Sequence, residues 1–368
     1  MKKISLGVII LVFSIASCKK SASNNASSWN ELGGANTSKI NGYINSIAKD
    51  AAGNIYAVGG FANLSHGFYV AKWNGSSWNE LNGSTTYTFN DDIENITTDA
   101  AGNVFVIGWF TNNNSKYYVA KWNGNNWSEL GGSNTSTFNT VANCITTDAT
   151  GNVYIAGTFT NSNHKYYVAK WNGNNWSELG GTNTSTFNSG ITSIVIDISG
   201  NLYAGGVFWN LNYKNFIAKW DGSSWSELGG TNASTFNKPI ASVTTDIAGN
   251  IYAAGEFLDS LGANYVAKWN GSSWIELGGT NNSAFNNRIN SINTDAAGNL
   301  YAGGSFTNAT SMNYVAKWNG SSWSELGGTN SSTFNNQIFS IITGATNNIY
   351  AGGLFTNSSG NQYVAVYK

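Results

Sequence analysis

In 368 residues the sequence has one proline (Pro239), one arginine (Arg288), two histidines (His66 and His164) and two cysteines (Cys18 and Cys144). With no basic patch or arginine cluster, nucleic-acid binding has no electrostatic footing. Two cysteines cannot make a disulfide framework. No paired carboxylates or histidine cluster suggest acid–base or metal chemistry, so neither a cofactor nor a metal is expected. Charged residues make up 10% of the chain, against about 25% in an average soluble domain.

Glycine (43 residues) and tryptophan (15) are abundant, as are Asn, Ser and Thr. That mixture suits short strands joined by tight turns. The chain begins "MKKISLGVIILVFSIASCKK". Two lysines, an apolar run over 4–15 and then small residues are the parts of a secretory leader. The run is too short to span a bilayer comfortably. Residues 15–18, Ile-Ala-Ser-Cys, resemble a bacterial lipobox, whose cysteine is acylated and becomes the new N-terminus. The expected division is a leader over 1–17, a lipidated Cys18 with a short tether over 18–26, and a folded unit over 27–368. Lysine after Cys18 resembles lipoproteins sorted to the outer membrane. Losing Lys2 and Lys3 with the leader leaves 16 basic against 19 acidic side chains, a net charge of −3.

One unit recurs throughout. The Trp of W-x-E-L stands at 29, 78, 127, 176, 225, 274 and 323, each step being 49 residues. The Trp of K-W-N/D-G stands at 73, 122, 171, 220, 269 and 318 with the same step. Within 289–326, "INSINTD", "NLYAGGSF", "YVAKW" and "WSEL" read as four strands, joined by "AAGN", "TNATSMN" and "NGSS". Gly supplies the positive φ of such turns, and Asn-Gly is a strong hairpin signal. Four short strands per 40–50 residues, repeated, predict a seven-bladed β-propeller with four antiparallel strands per blade.

The chain ends "QYVAVYK", which aligns with "NYVAKWN" at 313–319 and lacks a following W-x-E-L strand. The orphan copy at the other end, "SSWNELGG" (27–34), is expected to complete that last blade and close the ring. Closure removes the free edges that invite aggregation. A Gly pair on the second strand and an aromatic pair around the last turn resemble the kelch repeat. Here Trp replaces the usual Tyr, and the pair lies five residues apart. "TTDAAGNVFVIG" (97–108) is similar to the bacterial SBBP-type propeller repeat. The resemblance covers 27–368 and implies a fold more than a function.

Some features recur in every copy. Seven glutamates (Glu31, Glu80, Glu129, Glu178, Glu227, Glu276, Glu325) and six lysines (Lys72, Lys121, Lys170, Lys219, Lys268, Lys317) read as a solvated rim of ion pairs. Asp50, Asp99, Asp148, Asp197, Asp246 and Asp295 precede the first turn of their repeats, where a lone Asp satisfies backbone N–H groups. The Trp pairs read as packing between blades. A lectin-like use of the repeated aromatics would place one site in each blade. Cys144 replaces a Ser of sister repeats and reads as a small buried side chain.

More informative is what varies. Before the Phe that ends the second strand stand Gly60, Trp109, Thr158, Val207, Glu256, Ser305 and Leu354, seven different residues. The pairs entering each first strand also differ, among them Gly42-Tyr43, Asp91-Asp92, Lys238-Pro239 and Asn287-Arg288. In a propeller both sets belong to one face, which should also carry Trp209, His66 and His164. Candidate binding residues are therefore Tyr43, His66, Asp91, Asp92, Trp109, His164, Trp209, Glu256 and Arg288. The lone arginine excludes the three-arginine site of sialidase propellers.

The sequence thus predicts a monomeric, non-catalytic lipoprotein of the bacterial envelope or surface, whose variable face binds a protein or a glycan. A scaffold without a specific ligand is the alternative, and a propeller enzyme acting on carbohydrate is the weaker one. The eight tether residues Lys19–Ala26 span at most about 28 Å, so the face of near-invariant turns is expected to lie toward the membrane.

Overall fold

The structure, a computed structural model, describes residues 27–82, 89–279, 285–344 and 347–368. The leader, Cys18 and the tether lie outside the described residues. From its N-terminus the described chain runs through β1 (Trp29–Glu31), β2 (Ile44–Lys49), β3 (Ile55–Gly59), β4 (Ala71–Trp73) and β5 (Trp78–Glu80). Strands β2 to β5 form the first blade, an antiparallel sheet in sequence order. The same four strands recur as β6–β9 (93–129), β10–β13 (142–178), β14–β17 (191–227), β18–β21 (240–276) and β22–β25 (289–325). The seventh sheet has the order β1-β28-β27-β26, built from β26 (Ile338–Thr343), β27 (Ile349–Gly353), β28 (Ala365–Tyr367) and the N-terminal strand. The molecule is a seven-bladed β-propeller, and no helix occurs among the described residues.

The ring closes as the repeat count requires. Trp29 pairs with Tyr367, Asn30 with Val366 and Glu31 with Ala365. The Leu32 N–H donates to the Val364 carbonyl at 2.8 Å, and the Ser38 hydroxyl donates to the Gln362 carbonyl at 2.6 Å. The closure thus extends past β1 into the loop that leads to the first blade. Because β28 ends at Tyr367, its antiparallel partner starts on the side of the "NGSS" turns.

The second strand is fully buried in six blades, as in "IYAVG" of β3, and in all but Tyr350 of β27, because both faces of an inner strand pack against neighbouring blades. Each blade carries a bulge in its first strand, for instance between Ile44 and Ser46. Opposite the bulge stands an invariant glycine. A Cβ on Gly59 would lie 2.0 Å from the Tyr43 carbonyl oxygen, and one on Gly108 2.2 Å from that of Asp92. Close backbone approach, foreseen for the Gly pair, is the reason for this residue.

The turn aspartates behave as expected. Asp50 accepts from Asn54 N–H, from Asn54 Nδ2 and from the buried Tyr56 hydroxyl, at 2.7–2.9 Å. Burial works against the charged form of Asp50, but the bonds from Asn54 and Tyr56 outweigh it and hold the carboxyl below its ordinary range. Burial and the bond to Asp50 push the Tyr56 phenol well above its own. The same arrangement recurs at Asp148, Asp197, Asp246 and Asp295.

The glutamate rim is not the solvated ion-pair ring anticipated from composition. Ala71 faces Glu80 across the outer two strands, while Lys72 faces Asn79. Successive strand residues point to opposite faces, so the Glu and Lys rows lie on opposite sides of each blade. Each of the six third-strand lysines instead lies over a second-strand ring, from 5.4 Å at Tyr154 to 5.8 Å at Tyr203. Glu31, Glu129, Glu178, Glu227 and Glu325 pin the connection that follows them. Glu129 accepts from Asn134 N–H at 2.6 Å, Ser136 N–H at 2.7 Å and Asn112 Nδ2 at 3.1 Å.

The tryptophans are structural, as read. Trp78 Nε1 donates to the Leu32 carbonyl of the preceding outer strand at 3.1 Å, and Trp127 to that of Leu81 at 2.7 Å. Cys144 is buried in a ring of inner-strand serines whose hydroxyls accept from the next blade, as Ser193 does from Val243 N–H. Burial pushes its thiol far above the ordinary value.

Candidate functional site

The two variable sets meet at one end of the inner strands. In every blade the N–H of one variable residue donates to the carbonyl of the other. Gly60 donates to Tyr43, Trp109 to Asp92, Thr158 to Val141, Val207 to Gly190, Glu256 to Pro239, Ser305 to Arg288 and Leu354 to Gln337, all at 2.9–3.0 Å. One backbone geometry therefore carries seven different pairs of side chains around the mouth of the propeller.

A second constant bond braces this mouth from behind. Asn90 Nδ2 donates to the Thr111 carbonyl while Thr111 N–H donates back to Asn90 Oδ1, at 3.1 and 2.9 Å. Equivalent pairs occur between Asn139 and Thr160, and between Asn335 and Thr356. The scaffold under the variable residues is thus hydrogen-bonded on both sides, and substituents on it can change without moving the backbone.

The side chains form two charged clusters. In the first, the Tyr43 hydroxyl donates to Asp92 across the boundary between the first two blades. That bond, together with burial and the Asp92 charge, pushes the Tyr43 phenol up to about 12. The Tyr43 ring lies where a side chain on Gly60 would be, 2.4 Å from a Cβ built there. Glycine at position 60 is therefore the counterpart of tyrosine at 43. Trp109 is 47% exposed and hydrogen-bonds to Glu94, whose carboxyl is pushed up by burial despite that bond. Asp91 is exposed beside them. In the second cluster, Arg288 Nη1 contacts Glu256 Oε1 at 3.0 Å, both side chains remaining nearly half exposed.

The remaining candidates lie apart. His66 and His164 are exposed at turn tips between second and third strands, with φ of 62° and 56°. Gly262 and Gly360 hold the equivalent left-handed position in sister blades. Trp209 lies two residues beyond the variable position. Its backbone is tied to Asn188, and its ring lines a cleft at the outer rim with Leu211 and Tyr213. The structure therefore removes Trp209 from the mouth.

One member was missed. Glu94 occupies the bulge position, where the sister blades carry Asn45, Asn143, Thr192, Ala241, Asn290 and Phe339. Asn45 shows where this side chain points, its Nδ2 donating to the Ile93 carbonyl of the next inner strand at 3.3 Å. The variability of this column was visible in the sequence, but its place beside the mouth depends on the bulge. Among the described residues, no group of three or more His, Cys, Asp or Glu side chains is arranged to hold a metal ion.

The sequence matches no protein-family model and no curated relative. Solved structures share its fold. The extracellular domain of a protein assigned as a hybrid two-component system of B. thetaiotaomicron superposes with a TM-score of 0.60 at 12% identity. That match covers 89% of this chain and 39% of the other. A catalytically inactive virginiamycin B lyase of Staphylococcus aureus, solved with quinupristin, gives 0.63 at 12% identity, over 93% and 99% of the two chains. YCF48 of Cyanidioschyzon merolae gives 0.59 at 13%, over 92% and 98%. At these identities the likeness is one of fold.

Proposed function

We propose that this chain is a non-catalytic recognition protein of the bacterial envelope, anchored through a lipid on Cys18, whose variable mouth binds a protein or a glycan. One observation carries the reading. A single backbone hydrogen bond, kept in all seven blades, presents side chains that differ in all seven. The braced scaffold lets these side chains differ without moving the backbone, and an asymmetric partner requires each blade to offer something different. The mouth offers an acidic, aromatic sector at Tyr43, Asp92, Glu94 and Trp109, and a mixed-charge sector at Glu256 and Arg288. Extracellular placement of a related fold agrees with an envelope role.

The anchor supports an orientation. β1 starts on the side of the "NGSS" turns, and a tether of eight residues reaches at most about 28 Å. That side then lies toward the membrane, and the mouth points away from it. The resemblance to kelch-like and SBBP-type repeats belongs to this reading as well, as does a monomeric state.

The test combines a glycan array with affinity capture from isolated envelopes, using the wild-type chain and the triple variant Trp109→Ala, Glu256→Ala, Arg288→Ala. All three side chains are substantially exposed, so the variant should fold. The reading expects the wild-type partner to be lost, at tenfold or more in affinity. Equal binding by the variant would reject the mouth as the site.

A further inference from the structure

A second kind of site lies away from the mouth. Clefts of about 300–630 Å³ open at the outer rim of the first, third, fourth, fifth and sixth blades. They are one cleft repeated. In the fourth blade its wall includes Phe216, Ala218, Trp225, Ser226 and Glu227. The residues 98 positions further on, Tyr314, Ala316, Trp323, Ser324 and Glu325, build it in the sixth. Ala218 pairs with Glu227 and Lys219 with Ser226 across the outer strands, so Ala218, Trp225 and Glu227 share one face of the blade and Ser226 lies on the other.

From the recurrence and its chemistry we propose that the rim clefts of the third to sixth blades are carbohydrate sites, each taking a neutral sugar residue, and that the propeller is multivalent toward neutral glycans. The first-blade cleft is set apart by Lys39 in its wall. A small apolar cleft with a few converging polar groups is the usual form of a ligand site. In the fourth blade the polar groups are neutral donors. The hydroxyl of Thr231 and the Nδ2 of Asn232 make no hydrogen bond among the described residues, and both residues line the cleft. The one charged residue in its wall, Glu227, already accepts from Asn210 Nδ2, Asn232 N–H and Ser234 N–H. Lys219 lies on the opposite face, over the Tyr203 ring. With no cation in its wall, this cleft has nothing to neutralise a phosphate, sulfate or uronate.

A pyranose has an apolar C–H face and a rim of hydroxyls, and matches a wall that is aromatic on one side and donor-bearing on the other. The fourth blade adds three exposed apolar side chains at the cleft: Trp209 at 40%, Leu211 at 84% and Tyr213 at 82% exposure. This blade should hold the tightest of the sites. Recurrence then multiplies weak single-site affinity when several sugar units engage together.

The sister blades supply a substitution set compatible with the fold, because Thr160, Ser162 and Gly262 hold the places of Trp209, Leu211 and Tyr213 in neighbouring repeats. The test titrates the full chain with glucose, galactose, mannose and N-acetylglucosamine, following tryptophan fluorescence. It also measures binding to immobilised dextran, mannan and galactan. At least one neutral sugar should bind saturably at more than one site per chain. Trp209→Thr, Leu211→Ser, Tyr213→Gly should weaken the tightest site tenfold or more. The mouth variant Trp109→Ala, Glu256→Ala, Arg288→Ala should bind these sugars as the wild type does, which separates this proposal from the function assigned to the mouth. It is overturned if no neutral sugar binds saturably, if the fourth-blade variant binds as tightly as the wild type, or if the mouth variant loses the binding. Stronger competition by heparin than by neutral polysaccharide would overturn it equally.

Discussion

At the scale of the residue, the repeat assigns each polar side chain one job and performs it in blade after blade. The aspartate of the first turn receives an amide and a phenol, and its ionised form is favoured more strongly in the folded chain than in the unfolded one. Five such carboxyls are held below their ordinary range, those of Asp50, Asp148, Asp197, Asp246 and Asp295. A depressed folded value means that the unfolded chain binds more protons in the acid window, so stability rises with pH there. The contribution is fully present above the ordinary aspartate value of about 4. It is lost as pH falls through the lower folded values. The partner phenols are shifted upward, so their contribution is present below their ordinary value of about 10 and lost above it. Denaturant midpoints measured from pH 2 to 11 should show a plateau bounded by both losses. A midpoint that does not fall between pH 5 and pH 2 contradicts the aspartate assignment. These turns were legible in the sequence because their hydrogen bonds are local, spanning four and six residues. The glutamate rim was misread for the converse reason. Which of Glu80 and Lys72 shares a face depends on the register between β4 and β5, and spacing along the chain does not give it.

At the scale of the element, the smallest piece holds the largest share of the topology. β1 is three residues long, yet it supplies the outer strand of the last blade and places Trp29 Nε1 against the Leu326 carbonyl at 3.3 Å. Glu31 accepts from Asn36 N–H, Ser38 N–H and the Asn357 amide, which ties the first and last repeats together. Deleting residues 27–34 should abolish cooperative unfolding of the ring, read as loss of the near-ultraviolet circular dichroism of its tryptophans. Adding the peptide "SSWNELGG" in trans should restore part of that signal. An unchanged melt after the deletion contradicts closure by this strand. This element was legible from counting alone, since seven W-x-E-L copies and six K-W-N/D-G copies leave one strand at each end unmatched. The braced connections were not legible as structure. Their isolated pairing, such as Asn313 with Phe334, joins segments that neither alternate nor carry a turn signal.

At the scale of the whole molecule, the propeller has two unlike surfaces built on one repeat. The mouth is different in every blade, and the outer strands of the rim are nearly the same in every blade. Sequence comparison among the repeats separated these columns, and the shared backbone bond confirms that the two variable columns are neighbours. It did not reveal Glu94, which reaches the mouth only through the bulge. Nor did it separate Trp209, expected on the same face, from the mouth residues, because the chain carries it outward to the rim after Phe208. The clefts themselves arise where an incoming connection, a third strand and a fourth strand meet, and no single segment announces them.

The central claim is that the variable mouth, and not the near-invariant turn side, meets the partner of this protein. Hydroxyl-radical footprinting of the full chain, with and without isolated envelopes, reads both sides in one measurement. The account predicts protection at Tyr43, Trp109 and Leu354, with unchanged oxidation at the "NGSS" turns around Gly271 and Gly320. Protection confined to those turns, or an unchanged rate at Trp109, would contradict it.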